Sequence, residues 1–189
     1  VQAFRHTQPY VDIKMYNEID ETTRTGKVTV DVYTYVVPGN SMHTLNVWLV
    51  QDGLVGMQAS GGSQYTHNHV FCGTLNNSAW GQQIILKAGE TRRYTFDYKI
   101  PEAITVTYGS YEGTTFNAIL SNMQIVAFVS DFSESNLTAC NVYNAASIKI
   151  ETDKTDKILK TLTYMIGDVV FQKYSVEVGD SIPTCSPPT

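Results

Sequence analysis

Between Lys27 and Val36 the chain alternates polar and apolar residues. Val28, Val30, Val32 and Val36 fall on one side of an extended backbone, and Lys27, Thr29, Asp31 and Tyr33 on the other. A period of two puts successive side chains on opposite faces of a strand, whereas a helix would scatter these valines around its axis. Residues 93–100 repeat the pattern with Tyr94, Phe96, Tyr98 and Ile100 inward, and residues 142–150 do so through Val142, Ala146, Ile148 and Ile150. The runs at Ile84–Leu86 and Ile125–Val129 are continuously apolar and too short for ordinary helices, so they predict strands covered on both faces. No window with apolar residues at i, i+3, i+4 and i+7 is persuasive as a helix against these strand patterns. Composition agrees: 22 Thr, 19 Val and 12 Tyr stand against 9 Leu and 10 Ala, and branched and aromatic residues suit a pleated surface.

Turn-forming residues separate the runs. Thr25-Gly26 is expected to divide residues 11–19 from 27–36, Pro38-Gly39-Asn40 to precede 45–50, and Ala88-Gly89-Glu90 to split 84–87 from 91–100. Short strands without crossover helices exclude a parallel βαβ sheet. They predict an all-β protein, an antiparallel β-sandwich of immunoglobulin-like or jelly-roll-like form, in an order the sequence does not disclose. Residues 1–9 carry no pattern and are expected to connect. Residues 10–151 form the sandwich, and the charged, Thr-rich 152–157 a linker. Residues 158–189 carry a hairpin around Gly167-Asp168, in which Val170, Tyr174, Val176 and Val178 share a face, ahead of a proline-rich end.

Function classes narrow by exclusion. The net charge of −5 and the scatter of 13 Lys and Arg leave no basic stripe for a nucleic acid. No run reaches the roughly 18 apolar residues of a helical membrane span, and the opening residues show no basic, apolar leader. No P-loop, dinucleotide fingerprint or G-x-S-x-G elbow is present, and Gly61-Gly62-Ser63 reads as a loop. No pair of carboxylates stands out for glycoside hydrolysis. The two N-x-[ST] matches, at Asn76 and Asn136, carry meaning only in a glycosylating secretory pathway. Cys72, Cys140 and Cys185 have no metal-ligand spacing. Buried free thiols are the ordinary expectation, with a Cys72–Cys140 bridge as the alternative.

Two constellations remain. His67 and His69 at i and i+2 would present both imidazoles to one side of a strand, which suits a metal if a third ligand joins them and hydrogen bonding if none does. Tyr33, Tyr35, Trp48 and Tyr65 would make either cross-strand packing or a stacking platform for sugars or peptides.

Ordered short motifs over residues 10–151 add a resemblance. Gly53-Leu54-Val55-Gly56, Gly61-Gly62, Tyr65-Thr66-His67-Asn68-His69-Val70, Trp80-Gly81, the strands 94–100 and 125–129, and the closing Val142–Ile150 together resemble the Omp28-related outer membrane proteins of Bacteroidetes. The family's basic residue after the HNHV stretch is missing, with Cys72 in its neighbourhood. The resemblance implies an exported cell-envelope protein at the outer membrane or cell surface. Its longer members resemble lipoproteins with a preceding thioredoxin-like domain, whose βαβ and CxxC signals are not in this sequence. Membrane attachment is therefore expected only through an anchor outside it. Residues 162–183 are similar to the opening hairpin of Listeria–Bacteroides surface repeats, β-grasp modules used as spacers or adhesive units, cut after two strands.

The functional expectation is a non-catalytic surface module with no cofactor, no metal and no catalytic residue. It would present loops or a sheet face to a protein or glycan partner, for adhesion or structure. Residues 56–65 and 131–138 are the candidate contact loops, and Tyr33, Tyr35, Trp48, Tyr65, His67 and His69 the candidate binding residues. A carbohydrate-binding sandwich stacking sugar on Trp48, Tyr33 and Tyr35 is the alternative, and a metal-dependent hydrolase centred on His67 and His69 a third.

Overall fold

The computed structural model describes residues 9–39, 42–78, 80–106, 112–132, 140–150, 159–166 and 169–177. Two compact units divide the chain, residues 1–151 and 152–189. In the first unit β1 (Val11–Asp20), β2 (Thr25–Thr34) and β8 (Thr91–Lys99) make an antiparallel sheet in the order β1-β2-β8. A second sheet runs β12-β11-β3-β6 from β3 (His43–Gln51), β6 (Val70–Thr74), β11 (Met123–Asp131) and β12 (Val142–Lys149). There β7 (Gln82–Ile84) pairs with the start of β3 beyond β6. Two hairpins stand beside these sheets: β4 (Leu54–Gln58) with β5 (Gly62–His67), and β9 (Ala103–Thr105) with β10 (Thr115–Asn117). A 3-10 turn at Leu120–Asn122 leads into β11. The second unit holds the antiparallel pair β13 (Leu159–Ile166) and β14 (Val169–Glu177). The protein is thus all-β.

One core joins the two sheets. Val28, Val30 and Val32 of β2 pack with Leu45, Val47 and Leu49 of β3 and with Ile125, Ala127 and Val129 of β11. The alternation of each strand supplies its inner half, as a two-layer sandwich requires. Tyr94, Phe96, Tyr98 and Ile100 all join that core, as their spacing predicts. Where β1 meets β12, side-chain amides stitch the layers. Asn17 Nδ2 donates to the Ile150 carbonyl at 2.8 Å while its Oδ1 accepts from the Tyr98 hydroxyl at 2.7 Å. Asn144 Nδ2 donates to the Val11 carbonyl at 2.9 Å. Asn17 is buried, and these two bonds satisfy it.

Several local expectations need correction. The first turn is Glu21–Arg24, and Thr25 and Gly26 already lie in β2. Asp20 closes it by accepting from the backbone N–H of Thr22 and Thr23, and Arg24 takes the left-handed φ of 56°. Gly26 serves a different purpose. A Cβ there would lie 2.5 Å from the Tyr98 ring, so glycine lets that ring cover β2. Val36 is exposed because β2 ends at Thr34, whose side chain takes the inward position. Ile85 is also exposed, between buried Ile84 and Leu86, so that run is covered on one face only. Val142 is 57% exposed: a bulge opposite Val129 and Ser130 inserts Tyr143 between Asn144 and Val142 and turns Val142 outward. The turn at Gly167-Asp168, the linker, Val178, Asn136, Cys185 and both chain ends lie outside the described residues.

Candidate functional site

The inward set of β3 is Leu45, Val47 and Leu49, so Thr44, Asn46, Trp48 and Val50 point to the sheet's outer face. The register sets Trp48 beside Val126 and Thr74, Asn46 beside Phe128, and Thr44 beside Ser130. The Trp48 ring meets Phe128 edge to face with centroids 4.7 Å apart, and Phe71 of β6 at 5.2 Å. Trp80, in the turn before β7, lies 5.7 Å from Phe132. Together Asn46, Trp48, Trp80, Phe128 and Phe132, with Ser130, Asp131, Cys140 and Val142, line a recess of about 210 Å³.

Polar groups form its floor. Thr44 Oγ1 and Ser130 Oγ are 3.1 Å apart, and Asn46 Nδ2 donates to Ser130 Oγ at 3.4 Å. All three residues are buried. Asp131 accepts from the Asn141 backbone N–H, from Asn141 Nδ2 at 3.0 Å and from the Tyr143 hydroxyl at 3.2 Å. The Trp48 indole nitrogen is buried with no hydrogen-bond partner among the described residues. Gly81 at φ 85° sits against the Asn46 amide, where a Cβ would come within 2.7 Å of its nitrogen. Trp80 is 58% exposed at the recess, and Phe71, against the Trp48 ring, is 52% exposed. An aromatic wall over polar groups has the chemistry to stack a flat ring and orient it.

The sequence-predicted residues do not make one site. Trp48 is in the recess. Tyr33 and Tyr35 lie on the outer face of the first sheet, edge to face at 4.7 Å, in a trough shared with Asp12, Lys14, Tyr16 and Asp31. Tyr65 is on the exposed β4–β5 hairpin, its ring 4.9 Å from that of His67. His67 ends β5, but His69 lies in the following turn at φ 54°, so the i and i+2 rule for a strand does not apply to this pair. The HNH stretch instead clamps that turn. Asp52 accepts from the His69 backbone N–H at 2.6 Å, and Asn68 Oδ1 accepts from the Gly53 N–H at 3.0 Å. Among the described residues no three of His, Cys, Asp and Glu converge as metal ligands. Cys72 and Cys140 are free thiols, and burial pushes the Cys72 thiol up to about 11. A further trough, of about 610 Å³, is open and lined by charged strand residues such as Lys27 and Asp97, 3.7 Å apart.

Sequence reasoning missed Trp80, Phe128, Phe132 and Asn46. The available signal was Phe128 in a run predicted to be covered on both faces, which requires something apolar outside. Arg24 was missed too. Its guanidinium donates to the carbonyls of Ile100, Pro101 and Ala118, the last at 2.7 Å, holding together segments far apart in sequence.

A family model described as outer membrane protein Omp28 matches residues 6–154, a span that stops short of β13. Among solved structures, HBP35 of Porphyromonas gingivalis superposes with a TM-score of 0.56 at 14% identity. That match covers 89% of this chain and 52% of HBP35, so the chain spans about half of that protein, and the likeness concerns the fold. A domain of the outer membrane lipoprotein Omp28 from Porphyromonas gingivalis is 23% identical, with a TM-score of 0.44, over 76% of this chain and 90% of the domain. No curated protein matches in sequence.

Proposed function

Because the chain belongs to the Omp28 family of outer membrane proteins, we propose that it is a non-catalytic module of the cell envelope that makes contacts through the aromatic recess on the outer face of its second sheet. The observation that carries this is one recess lined by exposed Trp80 together with the packed rings of Trp48 and Phe128 beside buried polar groups. Aromatic anchors on a fixed scaffold bind at low entropic cost. The carboxylate at the recess, Asp131, is engaged with Asn141 and Tyr143. The β4–β5 hairpin offers a second contact surface, with Val55 61% and Tyr65 45% exposed.

One finer reading has its own support. A recess of about 210 Å³ is smaller than the roughly 300 Å³ at which drug-sized pockets begin. That suits a single ring, and an aromatic wall over amide and hydroxyl groups suits the two chemistries of a sugar. Trp48 and Trp80 are the only tryptophans of the chain and both line the recess, so intrinsic fluorescence reports on it directly. Titration with oligosaccharides, and separately with aromatic-bearing peptides, should give a saturable emission change that Trp80→Ala abolishes. A response to sugars alone selects the glycan reading and a response to peptides alone the protein reading. Emission unmoved across both panels would remove the recess as a contact site.

A further inference from the structure

The first sheet ends on β8, and among the described residues nothing hydrogen-bonds to the far edge of that strand. Which groups are left over follows from the ladder. The Thr34 N–H donates to the Glu90 carbonyl at 3.0 Å, and the Ile100 N–H to the Arg24 carbonyl at 2.9 Å, at its two ends. The even-numbered residues of β8 therefore bond to β2. Thr91, Arg93, Thr95, Asp97 and Lys99 direct their N–H and C=O groups outward. The edge runs nine residues with no proline and no register shift, so it lacks two of the devices that commonly blunt such edges.

We propose that this edge pairs with the same edge of a second copy, antiparallel about a two-fold axis at Thr95, so that two three-stranded sheets become one of six. The sequence of β8 is complementary to itself in that register and in no neighbouring one. Arg93 falls opposite the partner's Asp97, Thr91 opposite the partner's Lys99, and Thr95 opposite the partner's Thr95. All nine residues pair, and the outward-facing groups meet as hydrogen-bonded pairs, about ten bonds in all. Centring the axis on Arg93 or Asp97 sets like charges face to face. Centring it on Phe96 sets Arg93 against the partner's Lys99, and centring it on Tyr94 leaves Arg93 against the partner's Thr95.

The charge match extends beyond the edge strands. Within one copy Lys14 is in register with Asp31, and Asp31 with Arg93, which grips it through two bonds of 2.7 Å. Lys27 is in register with both Glu18 and Asp97. In the paired sheet the row then runs Lys14, Asp31, Arg93, the partner's Asp97, the partner's Lys27, the partner's Glu18, with the sign alternating at every step. The two-fold axis generates the same row once more. Opposite charges on facing strands stabilise, and like charges oppose, pairing. On the inner face half-buried Tyr94 meets the partner's Phe96 and gains cover at the open side of each core. An isologous contact of this kind closes as a dimer.

Sedimentation of the whole chain up to about 500 µM should show a monomer–dimer equilibrium. Thr95→Pro removes an N–H that β2 does not use, so the monomer should fold with an unchanged near-ultraviolet spectrum while dimerisation weakens more than about tenfold. Arg93→Asp and Asp97→Arg should each fail to self-associate and should form a heterodimer when mixed, since both facing pairs then carry opposite signs. Should either charge variant not fold, Thr95→Cys supplies an independent arm. Cα atoms about 5.5 Å apart across the axis fall within disulfide range, so a 95–95 link should appear in mapped peptides, while Arg93→Cys should give no 93–93 link. A chain monomeric at every concentration, or a dimer that Thr95→Pro leaves intact, would overturn the proposal.

Discussion

The outer faces of the two sheets start from the same alternating pattern and end with opposite chemistry. On the first sheet the outward positions of β2 and β8 are Thr25, Lys27, Thr29, Asp31, Tyr33, Thr91, Arg93, Thr95, Asp97 and Lys99, a solvated grid of ion pairs and hydroxyls with one aromatic ring at its end. On the second, the outward positions of β3 and β11 are Thr44, Asn46, Trp48, Val50, Gln124, Val126, Phe128 and Ser130, and the middle of β3 is buried from both sides. The difference lies in what each sheet has above it. The grid meets water, which any polar residue satisfies. The aromatic face has Phe71 against Trp48, and Trp80 with Phe132 at its edge, and this cover is incomplete, which leaves the recess. The recess proposed as a contact surface arises from incomplete coverage of an apolar face.

The strongest way to break that contrast is to strike the core both faces share. Ile125→Ala, at a position with no exposure, should cost about 3 kcal/mol. Urea unfolding followed by fluorescence and by far-ultraviolet dichroism should give coincident transitions, since one core supports both sheets. Transitions that separate would make the sheets independent units. The next effect sharpens the comparison. Trp48→Leu removes a ring wedged between Phe71 and Phe128 and should cost about 2 kcal/mol. Tyr33→Leu removes a ring that meets Tyr35 alone among the described rings, and should cost less than about 1 kcal/mol. Equal costs in thermal or urea unfolding would mean that the two faces are covered alike.

The smallest effect belongs to the ion-pair grid. The hydrogen bonds from Arg93 hold the Asp31 carboxyl below its ordinary range. A carboxyl lowered in the folded state contributes stability above its unfolded value, near pH 4, and that contribution is lost as the pH falls through the folded value. Asp31→Asn should therefore narrow its stability gap to the parent chain as pH drops from 6 to 2. Asp20, lowered by the backbone N–H of Thr23, and Glu90, lowered by Lys87, titrate in both proteins and cancel from the difference. A gap that stays constant with pH would show that Asp31 and Arg93 are uncoupled.

Particular residues show how far the sequence carried the fold and the site. Val28, Val30 and Val32, and Tyr94 through Ile100, were legible because each strand keeps its period without interruption. Val142 was not, since a one-residue bulge reverses the faces of everything beyond it and leaves no mark in a hydrophobic pattern. Gly26 looked like a turn glycine because Gly most often serves turns, whereas its neighbour in space, Tyr98, is 72 positions away in the chain. The histidines at 67 and 69 promised a shared face only while the strand was assumed to continue through both. For the recess, Trp48 was visible as an aromatic on a strand, but its companions come from β11, from the turn before β7 and from the segment after Asp131, which no local window relates.

Alternation and branched-residue content determined by themselves that this chain would form strands, that each would have a wet side and a dry side, and that the strands would stack as antiparallel layers. These properties depend on neighbours two residues apart, which any sequence displays. Strand order, the bulge opposite Val129, the rings gathered around the recess at Trp48 and the edge of β8, unpaired among the described residues, were decided by tertiary structure alone. They depend on which distant segments meet, and that choice comes from the packing of a whole core, to which each residue contributes only a small share.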